Sequence, residues 1–198
     1  MSKIAASTDQ PTKTPLANMP GPWAVAIGLA LGLALSRTAC ATTVPLAVGA
    51  KAPEVVGLDG AGHTLRLSQQ RGKPAVVYFY PKDETPGCTK EACAFRDAFD
   101  RFVAQGVVIF GVSRDSEKRH MAFRRDHKLP FPLVSDESGA AQKAYGVPTR
   151  YMILAARVTF LVDRDGRIAH VWPDVDPGVH VDEVLAAVKA LGPGTARH

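Results

Sequence analysis

Two apolar runs in the middle of the chain, Ala75-Val-Val-Tyr-Phe-Tyr80 and Val107-Val-Ile-Phe-Gly-Val112, are short, β-branched or aromatic, and bounded by Gly and Pro. Runs of that length and make-up predict strands covered on both faces. Each is followed by a helical pattern. The first predicted helix spans 86–105, with Phe95, Phe99 and Phe102 at i, i+4 and i+7 as its buried stripe and Gly106 closing it. A second covers 116–128 and stops before Leu129-Pro130, and a short third covers 136–145, stopped by Gly146 with Pro148 beyond. Residues 158–162 and 168–172 read as two strands joined through Asp163-Arg-Asp-Gly166, a turn composition. Val181, Val184, Leu185, Val188 and Leu191 mark a closing helix, with Gly192-Pro193 as its stop. The order predicts an α/β fold, a mixed sheet covered by helices.

The front of the chain breaks this pattern. Residues 1–22 are rich in Ser, Thr, Pro and Ala and carry no hydrophobic period. Trp23 to Leu35 is then uninterrupted and apolar. That run is shorter than the roughly 20 residues a spanning helix needs, and within the roughly 7–15 of a signal-peptide hydrophobic region. Ala39-Cys-Ala41 supplies a small-x-small cleavage pattern. The expected organisation is a disordered and hydrophobic leader over 1–41, a linker over 42–48, one domain over 49–192 and a tail over 193–198. Export to a bacterial periplasm with cleavage after Ala41 is the first expectation, and retention of the segment as a membrane anchor the alternative. Lipidation of Cys40 is a third route, although Arg37 stands where a lipobox normally has Leu.

With 198 residues, 46% hydrophobic and 22% charged, the chain has material for one core of ordinary size. Its net charge of +5 raises the question of an anionic partner. The charges alternate in sign through Ser116-Glu-Lys-Arg-His-Met-Ala-Phe-Arg-Arg-Asp-His127, without a basic run or interleaved stacking aromatics, so no nucleic-acid partner is expected. The six histidines show neither His-Glu-x-x-His nor zinc spacing. His120 and His127, seven apart on one predicted helix, read as surface residues. No metal is expected, and with no phosphate loop or dinucleotide fingerprint, no cofactor either.

Chemistry concentrates at Cys88. A cysteine attacks as its thiolate, and an ordinary thiol is only roughly 3% ionised at pH 7. Most free cysteines are simply small buried hydrophobes. Here Thr85 is a good N-cap and Pro86 a good first helical residue, which puts Cys88 in a first turn, facing unpaired N–H groups and the positive end of the helix dipole. The dipole contributes under about 1 kcal/mol, less than a tenfold gain in thiolate. A fixed cation is needed as well.

The run Tyr78-Phe-Tyr-Pro-Lys-Asp-Glu-Thr-Pro-Gly-Cys-Thr-Lys-Glu-Ala-Cys-Ala-Phe-Arg96 resembles the active-site segment of the peroxiredoxins, in particular the bacterioferritin comigratory protein or PrxQ subgroup. The resemblance continues through Gly111-Val-Ser-Arg-Asp-Ser116, Leu129-Pro-Phe-Pro-Leu-Val-Ser-Asp136, Tyr145-Gly-Val147 and Arg157-Val-Thr-Phe-Leu-Val-Asp163. It implies a thioredoxin-like fold and a peroxidase acting on hydrogen peroxide and organic hydroperoxides. It also implies a thioredoxin-like reductant and a monomer. Arg157 would supply the cation, the Thr85 hydroxyl would hold the peroxide, and Pro81 would shield the sulfur. Cys93 matches the subgroup's resolving cysteine.

That last assignment carries a mechanical condition. In an intact helix, residues five apart lie on nearly opposite faces with Cα atoms about 8.6 Å apart, and a disulfide tolerates at most about 7 Å. Bond formation between Cys88 and Cys93 would therefore require the helix to unwind across Thr89–Ala92. Without it, Cys93 is a packed apolar residue and another thiol resolves Cys88. The other readings are an exported thiol–disulfide oxidoreductase, for which Cys-x-x-Cys is missing, and a peroxide sensor.

Overall fold

The computed structural model describes residues 44–59, 61–150 and 154–192. The leader, with its apolar run and Cys40, lies outside them, as does the tail beyond 192. No helix among the described residues is long and apolar enough to cross a membrane.

A seven-stranded mixed sheet forms the centre. Its strands are β1 (Val56–Leu58), β2 (Thr64–Arg66), β3 (Ala75–Phe79), β4 (Val108–Ser113), β5 (Leu133–Ser135), β8 (Val158–Val162) and β9 (Ile168–Trp172), in the spatial order β2-β1-β5-β4-β3-β8-β9. A separate pair, β6 (Thr149–Arg150) and β7 (Leu154–Ala155), makes a small antiparallel ribbon. Strands β3, β4 and β5 run parallel, while β8 lies antiparallel beside β3 and β9 antiparallel beside β8. The helices are α1 (Pro86–Asp97), α2 (Phe99–Val103), α3 (Glu117–His127), α4 (Ala140–Ala144) and α5 (His180–Ala190). The architecture is the expected α/β thioredoxin-like one.

All five residues of β3 are buried because both faces of the sheet are covered. Val76, Tyr78 and Tyr80 face one core with Ala92, Phe95 and Phe102 from the leading helices and Val184, Leu185 and Val188 from α5. Ala75, Val77 and Phe79 face a second core with Tyr145, Phe110 and Phe160. The period of two in the sequence thus separates two cores rather than core from solvent.

The predicted 20-residue helix is two. Ala98 leaves helical geometry at φ −97°, ψ 5°, and α2 restarts beyond it. Phe95 and Phe102 remain fully buried, ring centroids 5.8 Å apart, whereas Phe99 is only half-buried over Phe131. The third helix is also shorter than expected. Asp136 lies ahead of it and caps it from outside, its carboxylate accepting the N–H groups of Ala141 (3.0 Å) and Gln142 (2.7 Å). At the front edge, Leu46 donates its N–H to the Tyr145 carbonyl at 3.0 Å and Gly49 to that of Ile168 at 2.7 Å. The ordered domain therefore takes in the end of the segment read as a linker.

Candidate active site

Pro81 to Thr85 link the carboxyl end of β3 to α1, the position where open α/β sheets place their ligands. The antiparallel register pairs Phe79 with Val158. Arg157, the residue before β8, is thereby brought level with the start of α1. Its Nη2 lies 3.3 Å from Cys88 Sγ. A Cβ on Gly87 would meet that same nitrogen at 3.3 Å, so the glycine keeps the approach open. Cys88 is 1% exposed, and both Cys88 and Cys93 are free thiols.

Thr85 has the extended backbone of an N-cap, but its side chain does not cap. The hydroxyl donates instead to the Lys82 carbonyl at 3.0 Å. The first-turn N–H groups are thus not taken up by Thr85, and the oxygen keeps its lone pairs to accept from an incoming O–H. Pro81 is half-buried in the same loop.

Glu91, not singled out in the sequence, completes the site. It sits one turn after Cys88 on α1, is 0% exposed, and its Oε2 accepts from Arg157 Nη1. Burial pushes its carboxyl up to about 7, the nearby Arg157 pulling in the opposite direction. Arg157 thus stands between the thiol and a carboxyl poised to ionise near neutrality. Its own guanidinium is held protonated by Glu91 and Cys88 against burial. The signal in the sequence was a Glu three residues after a first-turn Cys, the spacing that shares a helix face.

Around this centre the walls are apolar. Tyr78 stacks on Phe95 at 4.8 Å and on Tyr80 at 5.4 Å. Burial, with Glu91 behind it, drives the Tyr78 phenol far up, so it stays neutral. Its hydroxyl fits against Gly111, where any Cβ would lie 2.6 Å away. His180, buried behind the site with Nε2 2.8 Å from Thr159 Oγ1, is lowered to about 4 by burial and then by Arg157. It is neutral at pH 7 and does not compete with Arg157 for the thiolate.

Cys93 is half-buried on the intact α1. Arg96 stands three residues on. Its Nε donates to Asp97 at 2.9 Å and its Nη1 to the His127 carbonyl at 2.8 Å. Asp97 first, and the Cys93 sulfur after it, keep that guanidinium protonated. The five residues expected at the site thus fall into two places. Arg157 meets Cys88, Pro81 and Thr85 lie in the loop that leads into the helix carrying it, and Cys93 stands five residues further along that helix.

His120 corrects the sequence reading. It is 0% exposed rather than on the surface, because Asp83 Oδ2 lies 2.9 Å from its Nδ1 and the Val134 carbonyl 3.1 Å from its Nε2. Helical spacing alone cannot reveal such partners from other elements. His127 is partly exposed and pairs with Glu84 at 3.2 Å. Among the described residues no cluster of His, Cys, Asp and Glu could hold a metal ion.

A thioredoxin-like domain presenting a guanidinium-paired thiol at the first turn of its leading helix is a cysteine-dependent redox enzyme in class. The chain belongs to the AhpC/TSA family, whose model matches residues 48–171. It is 43% identical over 145 residues to the chloroplastic peroxiredoxin Q of Sedum lineare, covering 72% of this chain and 78% of that one. A putative peroxiredoxin bcp of Coxiella burnetii is also 43% identical, covering 70% of this chain and 95% of that one. Among solved structures, peroxiredoxin Q of Xanthomonas campestris matches with a TM-score of 0.64 at 38% identity, over 69% of this chain and 90% of that one. The bacterioferritin comigratory protein of the same organism, solved for its alkyl peroxide reduction activity, gives 0.63 at 37%, again over 69% and 90%. Family and subgroup are those that the active-site run resembles.

Proposed function

We propose that the protein is a thiol peroxidase that reduces hydrogen peroxide and organic hydroperoxides through Cys88. The observation that carries this reading is the 3.3 Å contact between Arg157 Nη2 and the buried Cys88 sulfur in the first turn of α1. The guanidinium and the helix N-terminus favour the thiolate over the thiol. The thiolate attacks the terminal oxygen of ROOH. An S–O bond forms as the O–O bond breaks, and its electron pair leaves on RO⁻, which takes up a proton and departs as ROH. Cys88 is left as a sulfenic acid. Arg157, beside the sulfur, stabilises the charge as it moves to the leaving oxygen, and Thr85 accepts a hydrogen bond from the peroxide. Pro81 helps close the loop over the sulfur.

Cys93 then attacks the sulfenic sulfur, expelling water and forming the Cys88–Cys93 disulfide. The intact α1 unwinds over Thr89–Ala92 for this step. A thioredoxin-like dithiol attacks the disulfide and restores both thiols, itself oxidised. Both cysteines sit on one helix, so the cycle needs no second copy, and we read the working unit as a monomer. A disulfide oxidoreductase is not favoured, because its Cys-x-x-Cys pair is missing.

The apolar run Trp23–Leu35 followed by Ala39-Cys-Ala41 supports export, with retention as an anchor the second route. N-terminal sequencing of the protein from its host distinguishes them: a chain beginning at Thr42 is cleaved, and one beginning at Ser2 is not. Stopped-flow consumption of hydrogen peroxide and an alkyl hydroperoxide tests the activity. The wild type reacts far faster than a free thiol, and a rate no faster than a free thiol would sink the reading.

A further inference from the structure

Behind the active-site loop lies a buried polar cluster that the reaction does not use directly. Asp83, two residues before Thr85, is 2% exposed. Its Oδ1 accepts from the Tyr80 hydroxyl at 2.7 Å, and its Oδ2 faces His120 Nδ1 at 2.9 Å. Its backbone N–H donates to Asp115 Oδ2 at 2.7 Å. Asp115 is fixed in turn by the Ser113 hydroxyl at 2.9 Å and by Arg119 Nε at 2.7 Å. His120 reaches on to the Val134 carbonyl of β5. Asp83 thus ties the loop to α3 directly, and through Asp115 and His120 to the end of β4 and to β5.

The His120 ring has an acceptor at each nitrogen, so a neutral ring facing a carboxylate would leave one contact unmade. The full set of bonds requires one proton between Nδ1 and Oδ2, on the ring or on the acid. Such a cluster is costly to bury unless every member is satisfied. What it holds is unfavourable by itself. Glu84, the next residue, has φ +62°, left-handed for a non-glycine side chain, and persists because both sides of it are fixed. Beyond Glu84, the Thr85 hydroxyl is aimed by its bond to Lys82, the residue on the other side of Asp83.

We propose that Asp83 and His120 are positioning residues for the peroxidase reaction: the buried pair locks the Lys82–Thr85 turn so that the Thr85 hydroxyl meets the peroxide. This rests on the peroxidase reading above. The pair acts on the orientation of Thr85, not on the charge of Cys88, whose cation is Arg157, at the entry to β8. Losing the lock slows attack on peroxide while leaving the thiolate as it was.

The test pairs two measurements in a Cys93→Ser background: the stopped-flow rate of the first reaction with hydrogen peroxide, and ultraviolet titration of the Cys88 thiolate. Asp83→Ala and His120→Ala are expected to slow the peroxide step by roughly tenfold to a hundredfold, the scale of a misplaced reacting group, with the thiolate titration unmoved. Asp83→Asn is expected to restore most of the rate, because its amide oxygen accepts from Tyr80 and its NH2 donates to a neutral His120 that still donates to Val134. A peroxide rate unchanged in Asp83→Ala, or a titration that shifts in step with the rate, would overturn the proposal. If the alanine variants do not fold, Tyr80→Phe decides on the same ratio. It removes one bond from Asp83, and a peroxide rate equal to that of the parent would overturn the lock. A parent protein inert to peroxide would overturn the peroxidase reading itself, and the lock with it.

Discussion

Two cysteines share α1, five residues apart, yet their surroundings have little in common. Cys88 is enclosed, faces a guanidinium engaged with a buried carboxyl, and has the open N–H groups of a helix start about it. Cys93 is half-open in mid-helix, and the arginine that meets its sulfur, Arg96, is shared with Asp97 and with the end of α3. The contrast separates two demands on sulfur. Attack on peroxide needs a thiolate in a fixed, dry place, whereas resolution and exchange need a thiol that can move and be reached. The sharpest way to break the contrast is to delete each sulfur in turn. Cys88→Ser is expected to lower the first reaction with peroxide by at least about a thousandfold, the scale of losing an essential nucleophile. Cys93→Ser should keep that first reaction and lose turnover with a thioredoxin-like donor, and mass spectrometry should find Cys88 over-oxidised instead of disulfide-bonded. A first reaction lost only in Cys93→Ser would reverse the assignment.

Next in size is the cation. Arg157 uses two nitrogens at once, one on sulfur and one on Glu91, and an ammonium on a flexible stem cannot reproduce that fork. Arg157→Lys is expected to slow the peroxide step by about a hundredfold, within the range found when a preorganised donor is removed from a reacting centre. Stopped-flow rates at fixed pH would show it. A drop of less than about threefold would mean that the helix start alone suffices.

How these residues could be read from the chain differs from one to the next. β3, β8 and β9 were legible as compact runs rich in β-branched and aromatic residues, and the closing helix from its period, each with a Gly or Pro signal close behind. The strands β1, β2, β6 and β7 have only two or three residues, too few for a period. Cys88 was legible from its own neighbours, since a helix start is local chemistry. Arg157 was not, because 69 residues separate it from Cys88 and only the register of β8 against β3 brings them together. Its sequence assignment rested on family resemblance. Glu91 and His120 escaped because burial, not residue type, defines what they do.

Glu91 gives the next test of the contrast, since Cys93 has no buried carboxyl beside its arginine. Its folded value of about 7 lies above the ordinary 4.5. Its contribution to stability is therefore fully present below pH 4.5 and is lost as pH rises through 7, by up to ~3 kcal/mol. His180 has the opposite sign. Lowered from 6.5 to about 4, its contribution is present above pH 6.5 and is lost as pH falls through 4. In the wild type the two offset one another between about pH 4.5 and 6.5. Glu91→Gln removes one side of the balance, so its unfolding free energy in urea should rise with pH across that window more steeply than the wild type's. Parallel curves would show that Glu91 ionises freely.

The smallest expected effect concerns the helix that both cysteines share. If the disulfide forms only after Thr89–Ala92 unwinds, the rate of resolution reports how often that stretch opens. Lys90 lies in it, exposed and outside the contacts around Cys88. A glycine in a helix interior costs about 1 kcal/mol relative to alanine, and that free energy falls on the folded segment alone. Lys90→Gly is therefore expected to speed disulfide formation after one equivalent of peroxide by about fivefold over Lys90→Ala, while the preceding reaction of Cys88 changes little. Quenched-flow alkylation and mass spectrometry follow both steps. Equal resolution rates in the two variants would mean that opening of α1 does not limit the step, and that the separation of the two sulfurs is bridged by motion elsewhere.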